Sequence, residues 1–180
     1  MHTHTIQIEL LIDGHKATVG HQFLEDTVRQ IPDIEANKPI FDILAASDNP
    51  NVRRALTAKE FLSPKTVHTL LSDPDREVVE GILSNSHLAQ LIRPKALKRI
   101  LAADDVELLT TIGANIEDYT RCDTCSIADQ LSRHPNPLVR YSLPGWMVSD
   151  VVSSRILKRL ANDKDPDVAQ RAAMSLEQRG

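Results

Sequence analysis

Apolar residues in this chain recur with the spacing of short helices, and one block of them is repeated. The apolar positions from Pro64 to Ser72 recur from Pro94 to Ala102, at an offset of 30 residues. Within each block the apolar residues lie three and four positions apart, which places them on one face of a helix. A period near 30 with helical spacing is typical of stacked α-helical repeats, in which neighbouring units cover each other's apolar faces.

The repeat consists of a Leu with Ala or Ser after it, a turn rich in Asp, Asn and Pro, and a Val or Leu seven or eight places after the first Leu. Five copies begin at Leu44, Leu71, Leu101, Leu131 and Leu160. The acidic or Asn residues before each Val-type helix are expected to be N-caps, because their side chains accept hydrogen bonds from the first turn. The sequence therefore predicts a mainly α protein, a right-handed α-solenoid of about five helical repeats that occupies residues 21–180 as a single domain.

Residues 1–20 have a different pattern. Ile6, Ile8, Leu10 and Ile12 alternate with other residues, and the pair Asp13-Gly14 follows them. Alternation ending in Asp-Gly predicts a β-hairpin with a tight turn. A two-stranded hairpin is marginally stable alone, so we expect it either to cap the open end of the solenoid or to pair with a second chain and form a homodimer.

The helical pattern begins immediately after the hairpin. Apolar spacing predicts a helix from His21 to Ile31, which Pro32 ends. Pro39 is expected to open the next helix, since proline suits the first helical position.

Two segments, Asp48–Leu56 together with Ser63-Pro64, and Asp165–Val168, carry a resemblance to known families. Over about residues 39 to 180 the chain resembles the HEAT-like repeats and, more closely, the leucine-rich repeat variant, whose units pair an α-helix with a short 3₁₀-like helix. The resemblance implies a solenoid fold. It implies no particular partner, because these families are defined by packing positions. The variant family's founding architecture also carries a four-cysteine iron–sulfur module, which two cysteines cannot supply, so no cofactor is expected.

Composition fits a chain with a packed core and no strong attraction to polyanions. The 180 residues carry a formal net charge of −4, and aromatic residues make up 3% of them, so we expect a core of aliphatic side chains. The sequence has no apolar run long enough to cross a membrane and no secretory signal. Two cysteines are too few for a disulfide-stapled secreted protein, and we expect a cytoplasmic location.

Cys122 and Cys125 form a CxxC motif at the predicted start of a helix. Such a pair can act in thiol redox chemistry, because a helix N-terminus lowers a thiol pKa, or it can supply half of a zinc site. A structural role is the third interpretation, since Cys122 aligns with Leu62 and Ile92 of other repeats. No second CxxC or paired histidine motif completes a zinc site. Of the seven histidines, four cluster near the amino terminus and the other three, His68, His87 and His134, lie at different phases of the repeat, so no metal is expected.

Basic residues recur at equivalent helical places. They are Lys95, Lys98 and Arg99 in one repeat, and Arg155, Lys158 and Arg159 in another. Stacked repeats would align them into a column that could follow a phosphate backbone. Ala128 and Asp129 occupy the matching places in the repeat between, so the column is interrupted, and a solvated surface is the other interpretation.

Trp146 is the only tryptophan, and it stands in a turn where other repeats have a polar residue. It is expected to be either a local plug or an anchor for a partner. The sequence contains no Gly-rich phosphate loop, paired-carboxylate signature or Ser/His/Asp order. We therefore expect a non-enzymatic protein–protein interaction module, an adaptor or scaffold that binds a protein along the solenoid groove. A nucleic-acid-binding protein and a CxxC redox or metal-binding protein are the alternatives.

Overall fold

The computed structural model describes residues 9–18, 20–143 and 152–178, and this part of the chain is mainly helical, as predicted. The helices are α1 His21–Gln30, α2 Lys38–Leu44, α3 Pro50–Leu56, α4 Pro64–Leu70, α5 Arg76–Ser84, α6 Ser86–Ala89, α7 Pro94–Ala103, α8 Val106–Ala114, α9 Thr124–Leu131, α10 Pro137–Ser142, α11 Ser154–Leu160 and α12 Pro166–Glu177. Single 3₁₀ turns occur at Glu35–Asn37 and Ile116–Asp118. The predicted helix starts at His21 and Pro39 are confirmed to within one residue.

The chain divides into two compact units, Met1–Leu88 and Ala89–Gly180. In the N-terminal unit, α3 packs against α1, α2 and α5, and α4 packs against α2 and α5. In the C-terminal unit, α10 packs between α8 and α12, while α8 also contacts α7 and α9, and α11 contacts α12. Within each unit, therefore, helices that are close in the sequence contact one another. No helix of the described residues has the length and apolar character needed to span a membrane.

The core is built from the positions that the repeat pattern marks as apolar. All of these positions are less than a tenth exposed: Leu44, Leu71, Leu101, Leu131 and Leu160, then Val52, Val78, Leu108, Val139 and Val168, then Leu56, Ile82, Ile112, Leu143 and Ala172. Burying an aliphatic side chain of this size stabilises a fold by about 1.5–3 kcal/mol before entropy is subtracted. The aliphatic repeat positions therefore supply much of the hydrophobic stabilisation of both units.

The predicted N-caps are confirmed. Asn49, Asp75, Asp105, Asn136 and Asp165 each accept a hydrogen bond from the backbone N–H of the second residue of the helix that follows. Replacing such a cap with alanine costs about 1 kcal/mol. The caps thus fix where α3, α5, α8, α10 and α12 begin.

Two strands precede α1. β1 Glu9–Ile12 pairs with β2 His15–Thr18 in antiparallel register, with Glu9 opposite Thr18 and Ile12 opposite His15. Asp13 and Gly14 connect them with φ angles of +49° and +82°, as a tight turn between twisted strands requires. Residues 1–8 and Val19 of the predicted hairpin segment lie outside the described residues. Its role as a cap or as a dimerisation element stays a prediction.

Candidate functional site

A buried ion pair ties α3 to the turn before α5 in the N-terminal unit. The Arg53 guanidinium donates to both carboxylate oxygens of Asp73, at 2.6 and 2.9 Å, and to the carbonyl of Ser47 at 2.6 Å. These two side chains are 11% and 4% exposed. Hydrogen bonding to Asp73 raises the pKa of Arg53, so the charge is held firmly in the folded state.

The C-terminal unit repeats this arrangement between α10 and the turn before α12. Arg140 donates to both oxygens of Asp163 at 2.7 Å, and it also donates to the carbonyls of His134 and Pro135. Hydrogen bonding from Arg140 lowers the pKa of Asp163. We call Arg53–Asp73 and Arg140–Asp163 the buried ion pairs. Their common geometry identifies α3 with α10, and α5 with α12, as equivalent helices of the two units.

The C-terminal unit also has a groove of about 670 Å³ between α10 and α12. Leu138 and Tyr141 line it from α10, and Met174 lines it from α12. These side chains are 61%, 38% and 54% exposed. Asp165 and Asp167 line the end where α12 begins. We call this the α10–α12 groove.

The equivalent face of the N-terminal unit is bridged by polar contacts. Arg54, on α3, donates to Asp75 at 2.6 Å and forms an ion pair with Glu77 at 3.1 Å. Gly81 of α5 lies against Thr57, so closely that a Cβ atom at Gly81 would be 2.7 Å from the Thr57 Cβ. In the N-terminal unit, therefore, an arginine links α3 to α5 and a glycine lets the chain around α3 approach α5 closely.

The residues at these two places differ in the C-terminal unit. Tyr141 stands where Arg54 stands, and Arg171 stands where Gly81 stands. The Arg171 guanidinium lies 4.3 Å from the centroid of the Tyr141 ring, a cation–π contact across the groove. An aromatic ring cannot pair with Asp165 and Asp167 as Arg54 pairs with Asp75 and Glu77. The exposed apolar and aromatic side chains of the groove therefore stand among polar ones, including Gln170 and Arg171, and the repeat pattern itself does not require them.

Exposed apolar side chains also occur in the N-terminal unit. They are Phe23, Ile34, Ile40, Ile43 and Phe61. These residues are distributed over α1, α2 and two connecting segments. The α10–α12 groove is the stronger candidate site, because its exposed apolar residues line one cavity together with charged groups.

The basic residues predicted as a column lie on α7 and α11. Lys95, Lys98 and Arg99 are exposed on α7, and Arg155 and Lys158 are exposed on α11. Arg159 is half-buried, and it donates to Asp129 at 3.0 Å and to the hydroxyl of Ser132. Arg155 also approaches Asp129, at 3.7 Å.

Asp129 thus lies where the basic column is interrupted, and it forms ion pairs with the neighbouring arginines. Besides Arg155 and Arg159, it pairs with Arg133 at 3.1 Å. Hydrogen bonds from Arg133 and Arg159 lower the pKa of Asp129, so its negative charge persists. The positive potential of α11 is reduced accordingly.

The two cysteines are free thiols. Cys122 is half-buried, with its sulfur 3.9 Å from the carbonyl of Ile92, and burial raises its thiol pKa. A raised pKa reduces the thiolate fraction on which redox chemistry and metal binding depend. Cys125 is exposed. Among the described residues, no group of three or more His, Cys, Asp or Glu side chains could hold a metal ion. Trp146 lies outside the described residues.

The sequence analysis missed the buried ion pairs and the groove. The signal for the ion pairs is present, because Asn-Pro-x-Val-Arg occurs at Asn49–Arg53 and again at Asn136–Arg140. Aligning these two segments would also have shown Tyr141 in the place of Arg54. Comparison of the chain with protein-family models, with curated proteins and with solved structures found no match.

Proposed function

We propose that this protein is a non-enzymatic protein-binding module, an adaptor or scaffold, and that the α10–α12 groove receives a segment of its partner. In this proposal the helix pairs form a right-handed solenoid of the HEAT-like or leucine-rich repeat variant type. The order of helix contacts within each unit and the burial of every repeat position support that arrangement.

The observation that carries the proposal is the difference between two equivalent faces. On the N-terminal face Arg54 pairs with Asp75 and Glu77, whereas the C-terminal face exposes Leu138, Tyr141 and Met174. These three side chains line one cavity, where they can cover apolar side chains of a partner. Tyr, Met and Arg are also the residue types enriched where proteins meet. A volume of about 670 Å³ suits a few side chains of a bound segment.

The test replaces Tyr141, which stands where the N-terminal unit has Arg54. Random peptides displayed on phage are selected on the full chain, and the peptides obtained are measured by calorimetry against wild type and Tyr141→Arg. The new arginine stands at the position equivalent to Arg54, which pairs with two carboxylates in the N-terminal unit. We expect it to pair with Asp165 and Asp167 and to weaken binding at least about tenfold, as loss of an aromatic anchor does.

The matched control is Arg54→Gln, which changes the equivalent position of the N-terminal unit and should leave the affinity unaltered. Circular dichroism checks that both variants keep their helical content. Peptides that bind Tyr141→Arg as tightly as wild type, or a selection that yields no peptides, would contradict the proposal.

Nucleic-acid binding is the second candidate, because Lys95, Lys98 and Lys158 are exposed. The neutralising contacts of Asp129 make it the weaker one. Retardation of DNA or RNA by the full chain at low salt, abolished in Lys98→Glu/Arg99→Glu, would favour it. No retardation at low salt would eliminate it.

A further inference from the structure

The acidic end of the α10–α12 groove has a counterpart in the N-terminal unit, where an arginine side chain pairs with the carboxylates. Asp165 and Asp167 correspond to Asp75 and Glu77 of the N-terminal unit, at the same positions relative to the helix start. There, Arg54 reaches across from α3 and pairs with both carboxylates. The N-terminal unit therefore shows how a guanidinium occupies this framework.

In the C-terminal unit the same position lacks that cation. Within the described part of the chain, neither Asp165 nor Asp167 forms an ion pair, and the nearby Arg171 is stacked on the Tyr141 ring. Asp165 caps α12 by accepting from the N–H groups of Asp167 and Val168, and Asp167 is exposed to solvent. Two carboxylates thus line a groove of mixed polar and apolar character without the arginine partner that their counterparts have.

We infer that the segment bound in the groove carries an arginine whose guanidinium pairs with Asp165 and Asp167, as Arg54 pairs within the N-terminal unit, beside an apolar side chain that covers Leu138 and Met174. This inference rests on the proposed function. It specifies the partner's chemistry: a peptide segment with an arginine close to an aliphatic or aromatic residue.

Arginine fits this end of the groove better than lysine. Its planar guanidinium offers a fork of N–H donors that can serve two carboxylates at once, whereas an ammonium acts as a point charge. Its hydrocarbon stem can lie along apolar surface such as that of Leu138 while the charged head reaches the rim.

The test uses a selected peptide that binds wild type and loses affinity for Tyr141→Arg. The peptide is resynthesised with each arginine replaced by citrulline, which keeps the shape and removes the charge. Citrulline at the critical position should weaken binding at least about tenfold, because it removes the charge that strengthens the hydrogen bonds to the carboxylates. The same measurement is then made on Asp165→Asn/Asp167→Asn. Asparagine caps a helix as well as aspartate does, so α12 keeps its start.

The losses of affinity caused by citrulline and by Asp165→Asn/Asp167→Asn should not be additive. If the arginine pairs with these carboxylates, citrulline should cause no further loss of affinity in the double variant. The control Asp123→Asn, at the N-cap of α9, should bind like wild type. A peptide that loses affinity for Tyr141→Arg but tolerates citrulline at every arginine would overturn this inference and leave the proposed function standing. Additive losses would overturn it as well. Failure to select any peptide would overturn both.

Discussion

The buried ion pair Arg140–Asp163 should be among the most sensitive polar contacts of the C-terminal unit. Arg140→Met removes the cation and leaves the Asp163 carboxylate, 11% exposed, without its partner. It also removes the N–H donors of the His134 and Pro135 carbonyls. Removing one member of a buried pair costs about 3–5 kcal/mol, because the remaining charge stays desolvated. We expect a loss of this size in the free energy of unfolding.

Urea unfolding of the full chain, followed by circular dichroism, measures the effect for wild type, Arg140→Met, Asp163→Asn and the double variant. The double variant should lose less than the sum of the single variants, by about 1–3 kcal/mol, because the two residues are in direct contact. Arg133→Met is the control. Its pair with Asp129 is 59% exposed on the arginine side, and exposed pairs contribute about 1 kcal/mol or less. An Arg140→Met loss no larger than that of Arg133→Met, or strictly additive losses, would refute the reasoning.

Three further outcomes are expected, one from this ion pair and two from other contacts. Because Arg140 lowers the folded-state pKa of Asp163, this carboxyl stabilises the fold above about pH 4, the pKa of the unfolded state. The contribution is lost as the pH falls through the folded-state pKa. Asp163→Asn should therefore make the free energy of unfolding, measured in urea, less dependent on acid pH. Gly81→Ala should destabilise by about 1–3 kcal/mol in the same assay, since its Cβ would meet Thr57, and a stabilised variant would show that the helices separate easily. Iodoacetamide should modify Cys125 before Cys122 in the native chain, because Cys122 is half-buried with a raised pKa; mass spectrometry showing the reverse order would restore the reactive-thiol hypothesis.

The positions that pack were predictable from the sequence because packing follows periodicity. Leu71 and Val78, for example, were assigned to the core by spacing alone, and both are buried. The caps were equally readable, since Asp75 and Asp165 stand immediately before apolar helices whose first amides need acceptors. Apolar spacing and N-caps depend on residues close together in the sequence, so one repeat is enough to predict them.

The groove was not predictable from periodicity, because it arises where one repeat departs from another. Tyr141 and Arg171 occupy positions that the pattern leaves open to any residue, and their effect depends on which side chain stands opposite. The basic column was predicted from the chain order of Lys98 and Arg159, but the ion pair of Arg159 with Asp129 depends on distances between helices. Contacts across helices decide whether a charge is available to a partner.

The central claim is that a partner segment occupies the α10–α12 groove, and the Met174 methyl group reports on it most directly. The chain has three methionines, Met1, Met147 and Met174, so methyl-labelled protein gives three methyl signals, and Met174→Leu identifies one of them. Titration with a selected peptide should shift the Met174 signal in proportion to the bound fraction measured by calorimetry, and in Tyr141→Arg the same shift should require at least about tenfold more peptide. A peptide that binds fully while the Met174 signal stays in place would contradict the account.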